Sequence, residues 1–149
     1  RGPAERGGRG PAEPGGRPAA ERGARRPATA AEVPAAFADR LGAGDLDGAL
    51  ALYEPQATFA PQPGEQVSGH EAIRGALAQF AALRPTLTGE VEKVLEADGV
   101  ALVANRWTLT GTGPDGAPLE MGGVSADVMR RQPDGTWRIL VDDPWGAGA

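Results

Sequence analysis

Apolar side chains follow two different periods along this 149-residue chain. Up to Phe80 they recur every three or four residues; from Thr86 onward they alternate. Val33, Phe37 and Leu41 lie at i, i+4 and i+8, which predicts the buried stripe of a short helix ended by Gly42 and Gly44. Asp45 then stands where it can cap a second helix, with Leu46, Ala49, Leu50 and Tyr53 on its buried side and Pro55 as its stop. A brief strand is expected at Ala57–Ala60, followed by a Pro/Gly-rich loop over 61–66. Ser68 and Glu71 have the S-x-x-E spacing of a capping box, so a third helix should begin there. Its stripe is Ile73, Leu77 and Phe80, and Arg84-Pro85 closes it.

Beyond Thr86 the period of two predicts strands at 86–96, 100–110, 117–132 and 136–143. Asp98-Gly99, Pro114-Asp115-Gly116 and Pro133-Asp134-Gly135 are turn signals between antiparallel neighbours. Helices first and a meander afterwards make the fold class α+β. On the strand 117–132, Met121, Ser125, Asp127 and Met129 share one face, while Val124, Ala126 and Val128 share the other. With helices covering one face, the Val-rich face is left for a partner, and a homodimer through the sheet face is the expectation.

Composition divides the chain at about residue 30. Residues 1–30 contain an eight-residue repeat (RGPAERGG, RGPAEPGG, RPAAERGA), have no aliphatic larger than Ala and carry a net charge of +4. They read as a disordered Arg/Gly/Pro/Ala-rich tail ahead of one domain over 31–149. That domain carries a net charge of −9. A nucleic-acid-binding domain would need a basic face, so nucleic acid is not the expected partner; the tail lacks the aromatics that stack bases. Cysteine is absent and His70 is the single histidine, which excludes thiolate chemistry and Cys- or His-cluster metal sites. No metal and no cofactor is expected. No apolar run approaches the roughly 18–20 residues of a membrane span, so a cytoplasmic, membrane-free protein is the default reading.

Several segments resemble a known superfamily. These are Ala43-Gly44-Asp45-Leu46-Asp47, Tyr53 through Ala57, Ser68-Gly69-His70-Glu71-Ala72-Ile73-Arg74, and Asp127 to Arg131 followed by Asp134 to Arg138. Together, over about residues 33–146, they are similar to the nuclear transport factor 2-like superfamily, in its ketosteroid-isomerase-like and SnoaL-like (polyketide cyclase) branch. The resemblance implies a cystatin-like cone: a curved, mostly antiparallel sheet wrapped by about three N-terminal helices around an apolar central pocket. This fold hosts isomerases, cyclases, dehydratases, epoxide hydrolases and non-catalytic modules. Carried over by residue, the isomerase tyrosine falls at Phe37 and its general base falls near Pro61, between Ala60 and Gln62. Its protonated, oxyanion-binding aspartic acid falls at Asp127.

Asp127 is the leading candidate for chemistry, because a carboxyl among apolar neighbours favours its neutral form. If Asp134-Gly135 is a two-residue turn, Asp142 stands opposite it, and two facing carboxyls hold one proton between them. The alternative is that Asp127 pairs with an arginine such as Arg106 or bonds backbone amides. Phe37, Tyr53, Phe59, Phe80, Trp107, Met121, Met129 and Trp145 are candidate ligand-binding walls, each with plain core packing as its alternative. Trp145 would close the pocket mouth. Capping explains Asp45 and Asp47, and His70 reads as a surface residue in the first turn of a helix. The reading is a pocket for a small apolar molecule, possessing cofactor-free isomerase or cyclase chemistry at Asp127, or a non-catalytic ligand-binding or dimerisation module of the same fold.

Overall fold

A computed structural model describes residues 25–146. Most of the tail expected over 1–30 lies outside the described residues. Its last six positions rest on the domain: the Trp137 N–H donates to the Pro27 carbonyl at 3.0 Å, and the Arg40 guanidinium reaches the Arg25 carbonyl at 2.9 Å.

A 3-10 turn at Ala30–Glu32 leads into α1 (Val33–Gly42), whose first turn takes Pro34 at no hydrogen-bond cost. Val33, Ala36 and Leu41 are its buried residues among the apolar ones. The short α2 (Leu46–Leu50) is capped as expected, with the Asp45 carboxylate accepting from the Gly48 N–H at 2.9 Å. Strand β1 (Tyr53–Phe59) and the two-residue β2 (Val67–Ser68) precede α3 (His70–Ala81). The meander then runs through β3 (Thr86–Ala97), β4 (Val100–Thr112), β5 (Pro118–Val124), β6 (Ala126–Arg131) and β7 (Trp137–Asp143). The seven strands form one curved, unclosed sheet in the order β2-β1-β7-β6-β4-β3, with β5 also on β4. Only β1 and β7 run parallel. The core lies between the concave face and the helices, where Tyr53, Ile73, Leu77, Val103 and Met129 are almost fully buried. The class is α+β, as the change of period implies.

Four local expectations are corrected. Tyr53 opens β1 rather than closing α2, and Pro55 sits inside that strand. The β1–β7 ladder is irregular between Tyr53 and Thr58, so a residue without an N–H is tolerated there. Ser68 does not cap α3; its Oγ bonds Thr58 Oγ1 across β1 and β2 at 2.9 Å, and Gly69 (φ 86°) turns the chain into the helix with no side-chain cap. The strand expected over 117–132 is interrupted at Ser125, although β5 and β6 keep one register against β4.

The fourth correction concerns the β6–β7 hairpin. Its loop is not a two-residue turn: Gln132 and Thr136 still pair, which leaves Pro133-Asp134-Gly135 as a three-residue loop with Gly135 at φ 86°. Taken alone, that loop shifts the register by one residue and sets Asp142 on the outer face. A bulge restores it. Met129 pairs with Ile139 but Val128 pairs with Val141, so Leu140 is the extra residue of β7. Beyond the bulge, Asp127 pairs with Asp142 after all.

Candidate functional site

A cavity of about 420 Å³ opens between α1, α3 and the concave face of the sheet. The helical stripes that bury Val33 and Leu77 also present Phe37 and Phe80 to this space. Phe59, Trp107, Met129 and Trp145 complete six of the eight expected wall residues. Tyr53 is fully buried beside the cavity, edge-on to both Phe37 and Phe59 at ring-centroid distances of 6.0 and 6.3 Å. Met121 lies elsewhere, in a separate cavity of about 460 Å³ beside the 61–67 loop and α3. It shares the inward face with Asp127, three inward positions away along the same register. Pro61 and Gln62, at the isomerase base position, line that separate cavity as well.

Asp127 and Asp142 both line the main cavity. Asp127 is 6 % exposed, and Tyr53 donates its hydroxyl to Asp142 Oδ2 at 2.5 Å. The two carboxyls share a hydrogen bond. Burial, and then the negative charge of Asp142, push Asp127 well above the ordinary aspartate value of 3.8. Burial also raises Asp142, against the hydrogen bonds it receives from Asp127 and Tyr53. Both carboxyls are therefore pushed up, Asp127 well above its ordinary value, and the proton they hold belongs to the pair. Tyr53 is itself held neutral, far above 10, by burial and by the charge beside it. The result is two coupled carboxyls and a phenol in one hydrogen-bonded chain.

Ser125 orients the acid. Its Oγ takes the Asn105 backbone N–H at 3.1 Å, a ladder position, and donates to Asp127 Oδ2 at 2.6 Å. The Asp143 N–H reaches Asp127 Oδ1 at 3.1 Å, so the expected backbone bond is present. Among the described residues no arginine takes part: Arg106 pairs with Glu92 at 2.6 Å on the outer face. The C-terminal segment clasps the mouth. Trp107 Nε1–H donates to the Pro144 carbonyl at 2.7 Å, Trp145 Nε1–H donates to the Ala60 carbonyl at 3.0 Å, and the two rings meet edge-on at 5.5 Å.

His70 is half-buried rather than a free surface residue, and its Nε2–H donates to the Tyr53 carbonyl at 2.8 Å, pinning α3 to β1. Asp47 pairs with Arg74 besides standing in the first turn of α2. Three polar cavity residues had no part in the sequence reasoning, Asp39, Thr88 and Asn105, and of these Asn105 stands on the inward row of β4. Its signal was there to be seen, as the polar residue in the alternating row Ala101, Val103, Asn105, Trp107, Leu109. Among the described residues, no group of three or more His, Asp or Glu side chains converges as a metal site.

Residues 35–139 match the SnoaL-like domain family. No protein of curated function matches the sequence. Among solved structures, the chain resembles a nuclear transport factor 2-like superfamily protein from Salmonella enterica serovar Typhimurium at 17 % identity, covering 76 % of this chain and 84 % of that one with a TM-score of 0.67. It resembles Aln2 from a Streptomyces species at 25 % identity, over 75 % and 83 % of the two chains, with a TM-score of 0.62. A Streptomyces avermitilis protein of the same family, provisionally a dehydratase, is 18 % identical over 74 % and 88 % of the chains, also with a TM-score of 0.62. Matched over most of its length in sequence and fold, the chain belongs to the SnoaL-like domain family of the nuclear transport factor 2-like superfamily.

Proposed function

We propose that the chain is a cofactor-independent acid–base enzyme for a small apolar carbonyl compound, with isomerisation or ring closure as the reaction class. The observation that carries this reading is the Asp127–Asp142 pair, in register across β6 and β7 on the wall of an apolar cavity. Neutral Asp127 gives its proton to the carbonyl oxygen while the Asp142 carboxylate takes a proton from the adjacent carbon. The C–H electron pair becomes the enol double bond, and the carbonyl π pair moves to oxygen. Returning the proton to a different carbon is isomerisation; attack of the enol carbon on a second carbonyl closes a ring. The isomerase tyrosine and base positions hold Phe37 and Pro61, but Tyr53 from β1 and Asp142 from β7 supply a phenol and a carboxylate from other directions. Apolar walls keep both proton positions out of water, where neutral acid and carboxylate are most distinct.

Carboxyl NMR titration, with Asp127→Asn to assign the signal, tests the reading. A midpoint for Asp127 well above 3.8 is expected. A midpoint at or below that value would make it a structural aspartate and leave a non-catalytic ligand-binding module.

The outer face of the sheet supports a second property, self-association. Leu95 is 59 % and Leu102 42 % exposed, and they pair with each other across β3 and β4, with Val128 next to Leu102 on β6. Proteins of this fold commonly form dimers, and an apolar patch in the middle of a sheet is what such an interface buries. Sedimentation at high concentration should show a dimer for the wild type and a monomer for Leu102→Glu. A wild type that stays monomeric would remove the interface.

A further inference from the structure

We infer that Asn105 is a ligand-recognition residue whose side-chain amide reads a hydroxyl on the same carbonyl compound that meets Asp127. This rests on the cavity being a ligand site. Every other inward side chain of β4 around it is buried and apolar: Ala101, Val103, Trp107 and Leu109. Asn105 lines the cavity, and its Oδ1 is buried with no hydrogen-bond partner in the structure. A buried amide oxygen without a partner costs free energy, which an O–H arriving with the ligand recovers.

The neighbouring strand makes room for this amide. A Cβ on Gly89 of β3 would stand 2.9 Å from Asn105 Nδ2 and 3.0 Å from Oδ1, so the missing side chain at 89 is what lets the amide lie on the wall. Nearby polar groups are already committed. Ser125 Oγ holds the Asn105 N–H and Asp127, and Tyr53 serves Asp142. Asn105 stands across from Ser125, while Asp127 pairs with Val103, so amide and acid occupy one diagonal step of the same sheet face. A ligand that spans them carries a carbonyl oxygen for Asp127 and, a few bonds away, an O–H for Asn105. An apolar ketone without the hydroxyl fits the walls but leaves Oδ1 unpaired.

Binding of 2-acetylnaphthalene and its ring-hydroxylated isomers, read by quenching of the cavity tryptophans Trp107 and Trp145, tests the assignment. The wild type should prefer at least one hydroxylated isomer by roughly tenfold. Asn105→Leu should erase that preference while binding the parent ketone at least as well. Gly89→Ala, which leaves Asn105 in place but crowds its amide, should reduce the preference. If wild type binds parent and all isomers equally, a water satisfies the amide and the inference is overturned; it is also overturned if the preference survives in Asn105→Leu. Failure of the wild type to bind any of these ketones would instead overturn the underlying reading of the cavity, and Asn105's role with it.

Discussion

Asp127→Asn should slow the exchange of the methyl protons of 2-acetylnaphthalene with solvent deuterium by roughly 10²–10⁴-fold relative to wild type. Asparagine keeps the shape and can still donate a hydrogen bond to a carbonyl oxygen, but it has no proton to transfer. Asp142→Asn should lose a similar factor for the opposite reason, since an amide cannot accept the proton from carbon. The double variant should be little worse than either single one, because the two groups act on one proton transfer. The wild-type rate should pass through a maximum with pH. It needs Asp142 ionised and Asp127 protonated, and both limbs belong to the pair rather than to either residue. Proton NMR in deuterium oxide follows the exchange directly. Equal rates in wild type and Asp127→Asn would end the acid–base reading.

The second large effect is on stability. Acidifying wild type from about pH 8 to about pH 4.5 should stabilise it, and Asp127→Asn should flatten most of that gain. Asp127 has its folded-state value raised above that of the unfolded chain, chiefly by burial and then by Asp142. The native state therefore binds the proton more tightly. Its contribution is fully present below the ordinary value of 3.8 and is lost as pH rises through the folded value. The loss amounts to about 1.4 kcal/mol for each pH unit separating the two values. Glu54, held by Arg130 and Gln132, and Asp134, held by Thr136 and Arg26, are shifted the other way. Their stabilisation is present above the ordinary carboxylate range and lost as pH falls below it, so they act at the acid end and leave the higher window to the pair. Denaturant midpoints across the pH range separate the two. Parallel curves for wild type and Asp127→Asn would mean that burial of this carboxyl does not couple to folding.

Much of the molecule was legible in the residue order because it depends on neighbours along the chain. The stripes Val33-Phe37-Leu41 and Ile73-Leu77-Phe80, the Asp45 cap and the change to a period of two are local facts, and each stands in the structure. The misreadings were also local. Tyr53 continues the spacing of α2 as well as it opens a strand, and Ser68-x-x-Glu71 has capping-box spacing in a residue that pairs with Thr58 instead. In both cases pairing with another strand, which local spacing does not encode, overrode the local preference.

The catalytic candidates show the limit most clearly. Sequence alone determined that the protein is α+β, that its helices cover one face of a meander, and that a carboxyl at position 127 falls among inward-facing neighbours. It also suggested Asp142 as the partner, from a turn length that the hairpin does not have. Only the tertiary structure decided the pairing. The three-residue loop displaces the register and the bulge at Leu140 restores it, and side-chain direction in a strand reverses with every residue, so both must be counted before Asp142 points inward. The Tyr53 hydroxyl on Asp142 and the Asn105 amide over Gly89 bring together residues from different strands, positioned by the curvature of the whole sheet. Spacing along a chain records which face a residue takes within its own element; which residues of other elements share that face is decided by the packing that closes the cavity.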